Sequence, residues 1–121
     1  MRILAALLCG IASQYASGVM NQVIHNRQAM HQLPAVLPDV RGYVAVIDCG
    51  RIGEVLQVNG EPMLAVDCTN DSRTIAWMQN NNILIEMDFD TAKRLGTIGR
   101  GYPVCIGSVN RVDKHRVERA S

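Results

Sequence analysis

The dipeptide Asn59-Gly60 constrains this chain more than any other feature. Asn and Gly both tolerate the positive φ that a two-residue type I′ hairpin demands, so the pair dictates a tight antiparallel turn. It lies between two β-rich runs, residues 54–58 (EVLQV) and 63–66 (MLAV), which are therefore expected to pair. Further short runs of the same kind stand at 43–47 (YVAVI), 83–87 (ILIEM) and 104–106 (VCI). Pro34 and Pro38 interrupt the chain before the first of them, and Gly50 and Gly53 bracket a turn after it. Residues 15–33 carry Val19, Met20, Val23, Ile24 and Met30 at roughly helical spacing, which predicts a short helix or an irregular cap. Asp90 can N-cap a short helix over 91–95 that Gly96 closes. Residues 67–82 read as a polar loop around Trp77-Met78. Several short strands with one tight hairpin and one or two short helices predict a small, mainly β barrel rather than a helical bundle.

A length of 121 residues allows one domain. With 48% hydrophobic and 19% charged residues the chain has a globular composition, which excludes wholesale disorder. The formal net charge of +1 excludes a binder driven by phosphate neutralisation, so no nucleic-acid partner is expected. In the C-terminal tail Arg111, Lys114, Arg116 and Arg119 alternate with Asp113 and Glu118, the pattern of a solvated segment. No apolar run reaches the roughly 18–20 residues of a membrane span.

Met1-Arg2 followed by the ten-residue apolar run ILAALLCGIA (residues 3–12) fits a secretory signal peptide, with cleavage expected before Ser13. The alternative is a buried N-terminal strand or helix. Cleavage after Ala12 would leave Cys49, Cys68 and Cys105 of the four cysteines. Cys49 and Cys68 each follow an aspartate at the end of an apolar run, and if those runs are neighbouring strands the two could bridge. Three small buried thiols without a bridge are the other possibility. The histidines His25, His31 and His115 are scattered and no CxxC or HxxxH occurs, so neither a metal nor a cofactor is expected. The chain thus divides into a signal peptide (1–12), an N-terminal segment (13–40), a barrel domain (41–107) and a charged tail (108–121).

Three segments in order, YVAVIDCGRIGEVLQVNG, MLAVDC and ILIEMDFDTAKRLG, resemble the double-psi β-barrel superfamily. The last, with an isoleucine-acid pair followed by a one-turn helix ending Lys-Arg-Leu-Gly, is similar to the rare-lipoprotein-A (RlpA-like) domain. The middle one resembles the Val-x-Asp strand of that domain and of three-aspartate cell-wall domains. The resemblance spans roughly residues 43–106. It implies a six-stranded barrel whose groove binds a glycan, peptidoglycan in several members, and a secreted or periplasmic, cell-envelope location. It places Asp67 at the aspartate of the Val-x-Asp strand and Glu86 at the acid of the Ile-Asp pair. Asp48 falls near a position that carries histidine or aspartate in the relatives. Arg51 stands where proline is usual and no histidine lies in that stretch, which moves the expectation from cleavage toward binding.

Asp67 and Glu86 are accordingly the candidate catalytic pair. Partial burial raises a carboxyl pKa, a second carboxylate raises it further, and an acid protonated near neutrality can protonate a glycosidic oxygen. Hydrolysis needs two carboxyls, about 5–5.5 Å apart for retention or about 6.5–9.5 Å for inversion. A lytic transglycosylase works with one, because a hydroxyl of the sugar attacks. Equally, Asp67 could cap a turn and Glu86 could face solvent. Asp48, Trp77 and Asn70 are candidate substrate contacts: Trp77 by stacking on a sugar face, Asn70 with Asn80, Asn81 and Asn82 by reading hydroxyls. The plain alternative is that Trp77 pins its loop to the barrel. Three functions stand open: a glycan-binding barrel with weak or lost cleavage, a lytic transglycosylase or glycosidase, and a secreted protein-interaction module dimerising through Cys105.

Overall fold

In a computed structural model describing residues 7–108, the Asn59-Gly60 turn forms as its chemistry requires. Asn59 has φ 50° and Gly60 φ 82°, and they join β3 (Val55–Val58) to β4 (Glu61–Cys68) with Val58 opposite Glu61. The Asn59 side chain also ties the hairpin tip to the last strand, accepting from Cys105 N at 2.8 Å and donating to the Pro103 carbonyl at 3.1 Å. The other strands are β1 (Leu8–Gln14), β2 (Gly42–Val46), β5 (Ile83–Met87) and β6 (Tyr102–Ser108). The helices are α1 (Val19–Ala29), α2 (Ser72–Asn80) and α3 (Phe89–Leu95), with a 3-10 turn at Cys49–Arg51.

The six strands close into a barrel in the order β1-β5-β2-β4-β3-β6. β1/β5 and β2/β4 are parallel pairs and every other neighbour is antiparallel. This order has an internal two-fold: exchanging β1 with β4, β2 with β5 and β3 with β6 reproduces the ring and all strand directions. Side chains alternate across the wall. Inside lie Val44, Val46, Leu56, Val58, Met63, Ala65, Ile85, Met87 and Val104. Outside β2 and β4, a second cluster of Ala45, Leu64 and Val66 is roofed by Met20 and Ile24 of α1 and by Leu33. With both faces covered, β4 is buried continuously from Met63 to Val66.

The structure departs from the sequence expectations at four places. Residues 8–12, expected as the end of a leader, belong to β1. This strand is hydrogen-bonded on both sides, Ala12 is wholly buried, and Cys9 is disulfide-bonded to Cys105. Cleavage after Ala12 would remove most of a barrel strand, so the barrel runs from Leu8 to Ser108 instead of 41–107. The same bridge removes Cys105 as a dimerising thiol. Residues 72–80 form a helix instead of a loop, because Asp71 accepts from Thr74 N and the helix buries Met78 against the barrel. Asp88, and not Asp90, caps α3: it accepts from Thr91 N, Thr91 Oγ1 and Tyr43 N and so locks the helix to β2. The structure therefore has three α-helices where one or two were expected. The charged tail beyond Ser108 lies outside the described residues.

Candidate functional site

Strand register assembles the site. Ser13 on β1 pairs with Glu86 on β5, Glu86 with Ala45 on β2, and Ala45 with Asp67 on β4. The four residues thus form one row across four adjacent strands, on the outer face that α1 partly covers. Asp67 and Glu86, far apart in sequence, flank the smallest chiral side chain. Their backbones are two strand spacings apart, roughly 9–10 Å.

Each carboxylate has its own environment. Glu86 is half-buried and accepts a hydrogen bond from Ser13 Oγ at 3.2 Å. Burial pushes its carboxyl above the usual range; the Ser13 bond opposes this and the nearby charge of Asp67 reinforces it. Asp67 has both oxygens committed as acceptors: Tyr15 OH donates to Oδ2 at 2.7 Å and Arg27 Nη2 to Oδ1 at 2.7 Å. The ion pair is largely shielded, with 19% and 17% of the two side chains exposed. Tyr15 leaves the end of β1, held by its N–H on the Met87 carbonyl, and packs on the outer cluster to reach Asp67. Burial, then the bond to Asp67 and its charge, push the phenol above its ordinary range.

The end of α1 sets Arg27. His31 adopts φ 60°, Gln32 N bonds to the Arg27 carbonyl and His31 N to the Gln28 carbonyl, a Schellman termination. That turn brings Gln32 Oε1 to 2.7 Å from Arg27 Nη1, leaving Nη2 for Asp67. Arg27 Nη2 also lies 3.9 Å from Sγ of Cys68, which is disulfide-bonded to Cys49.

Of the residues singled out from sequence, the row brings Asp67 and Glu86 together. The carboxylate of Asp48 is exposed and caps the 3-10 turn, accepting from Gly50 N at 2.9 Å. Trp77 is 53% exposed on α2, and Asn70 is exposed between β4 and α2. His31 lines, with His25, Gln28 and Gln32, an open cavity of about 680 Å³ on the flank of α1. Among the described residues no three His, Cys, Asp or Glu side chains converge as a metal site. Ser13 and Tyr15 were missed because their approach to the carboxylates depends on β1 being a strand, and Arg27 because its approach depends on how α1 ends over β4. Comparison with protein families, curated proteins and solved structures gave no match.

Proposed function

We propose that this chain is an exported, cell-envelope barrel that binds peptidoglycan or a related polysaccharide over the Ser13–Glu86–Ala45–Asp67 row, with Glu86 as its acid. The carrying observation is the half-buried Glu86, its carboxyl pushed up by burial beside a second carboxylate that is engaged at both oxygens by Tyr15 and Arg27. Two disulfides suit an oxidising compartment, and among the described residues no helix is long and apolar enough to cross a membrane. The closed six-strand ring, with its two parallel pairs and two-fold order, is compatible with the double-psi arrangement that the sequence resemblance implies.

The chemistry divides between the two acids. Protonated Glu86 gives its proton to the glycosidic oxygen as the bond breaks. The resulting carboxylate then takes the proton of the sugar hydroxyl that closes on the anomeric carbon. Asp67, paired with Arg27 and hydrogen-bonded to Tyr15, has its charge largely offset and acts as a fixed wall of the row beside the proton-transferring Glu86. This is the one-acid course of a lytic transglycosylase. Binding without cleavage is a second reading, favoured by the same clamp, which engages both oxygens of Asp67 and offsets its charge with Arg27.

The test is incubation of the chain, with residues 8–14 intact, with purified peptidoglycan sacculi. Soluble products are read by mass spectrometry and the pellet is scored for bound protein. Anhydro-sugar products that disappear in Glu86→Gln support the one-acid reading. Protein in the pellet without products supports binding alone. Neither signal overturns both.

A further inference from the structure

We propose that the Cys49–Cys68 disulfide is a site of thiol–disulfide exchange, attacked at Cys49 and releasing Cys68 as a thiolate onto Arg27. The bridge joins an exposed residue at the start of the 3-10 turn to a half-buried one at the end of β4. Access therefore directs an incoming thiolate to Cys49, whose flanking carboxylate, Asp48, is turned onto Gly50 N. Departure is favoured at the other sulfur, because Arg27 Nη2 lies 3.9 Å from Cys68 Sγ and a cation beside a thiol stabilises its thiolate. The better leaving group leaves faster, so access and electrostatics select the same direction. Asp67, adjacent to Cys68, is the opposing charge, and its own bond to Arg27 keeps that cation in place.

The reagent class is a small dithiol or a protein dithiol. Its thiolate forms a bond to Cys49 Sγ, the Cys49–Cys68 bond breaks, and the electron pair remains on Cys68. The second thiol of the reagent, as its thiolate, attacks the mixed disulfide. It departs as an oxidised disulfide, and Cys49 takes a proton from solvent. Two electrons pass from reagent to protein. Arg27 is then shared between the Cys68 thiolate and Asp67, so exchange loosens the clamp on one acid of the row. The exchange step itself does not rest on the glycan reading.

The oxidised full chain is exposed briefly to 2-mercaptoethanol, a neutral monothiol, trapped with N-ethylmaleimide and mapped by peptide mass spectrometry. The expected product carries mercaptoethanol on Cys49 and maleimide on Cys68, in roughly three- to tenfold excess over the reverse arrangement. Arg27→Gln brings the ratio toward one and Arg27→Lys restores it, while Cys9–Cys105, paired across β1 and β6 away from Arg27, is the internal control. Mercaptoethanol on Cys68 in the wild-type protein, which needs no variant to measure, overturns the proposal. So does a folded Arg27→Gln protein with an unchanged ratio.

Discussion

Replacing Cys9 and Cys105 together by serine removes a bridge that spans 96 residues, whereas the Cys49–Cys68 bridge spans 19. In the chain-entropy account a crosslink stabilises by restricting the unfolded chain, with a contribution that grows as (3/2)RT ln n. The longer loop is worth about 4.7 kcal/mol and the shorter about 3.2 kcal/mol on that scale, a difference of about 1.4 kcal/mol from the ratio of 96 to 19. At about 5 °C per kcal/mol for a domain of this size, the double serine variant at 9 and 105 should melt roughly 23 °C below the wild-type protein and about 7 °C below the variant at 49 and 68. The 9–105 bridge also ties β1 to β6, in a strand hydrogen-bonded on both sides, so its loss loosens that pairing and cannot reduce the deficit. Thermal melting followed by circular dichroism measures both variants against the wild-type protein. A Cys9→Ser/Cys105→Ser protein as stable as its 49/68 counterpart would refute the placement of residues 8–12 in the barrel.

Other expectations follow from single contacts. Glu86 has a raised carboxyl pKa in the folded state, so the protein gains from its protonation at low pH and loses that gain as pH rises through the folded value. Glu86→Gln should therefore become more stable relative to wild type between about pH 4 and pH 7, which paired urea melts at the two pH values will show; a difference that shrinks with pH contradicts the assignment. Arg27→Ala leaves Asp67, 17% exposed, with Tyr15 as its remaining partner, and should cost about 1–3 kcal/mol after allowance for partial solvation, read by thermal melting. Asp88→Ala removes the α3 cap and the bond to Tyr43 N in one step, and a loss of about 2–3 kcal/mol is expected in urea. Gly42→Ala would drive a methyl into the buried Thr91 hydroxyl that bonds to Asp88, costing about 1–3 kcal/mol by the same assay.

Local chemistry made much of this barrel legible. Asn59-Gly60 admits one kind of turn, the run ILIEM forms the strand it spells, and Gly96 at φ 74° ends α3 as its missing Cβ allows. The carboxylates at 67 and 86 were singled out through the resemblance carried by MLAVDC and ILIEM, with their places at or near strand ends as support. The N-terminal strand was not legible for a physical reason: LCGIA after a cation satisfies a leader and a buried strand equally, and only pairing with β5 and β6 separates them. α2 was obscured by Asn, Asp, Ser and Thr, although Asp71 before Thr74, with Ile75 and Met78 three residues apart, carries a cap and an apolar stripe. The Tyr15–Asp67–Arg27 arrangement has no local signature at all. It joins β1, β4 and α1 through the closure of the ring.

The central claim, that a glycan lies across the row with Glu86 at its reacting bond, is tested most directly by nuclear magnetic resonance. Soluble muropeptide fragments are titrated into the labelled chain while the backbone amides and the Glu86 carboxyl are followed. The account predicts shifts concentrated at Ser13, Ala45, Asp67 and Glu86, with a Glu86 carboxyl that titrates above the usual carboxylate range and moves on binding. Shifts confined to the flank of α1 around His25 and Gln28, with an unmoved Glu86, would contradict it.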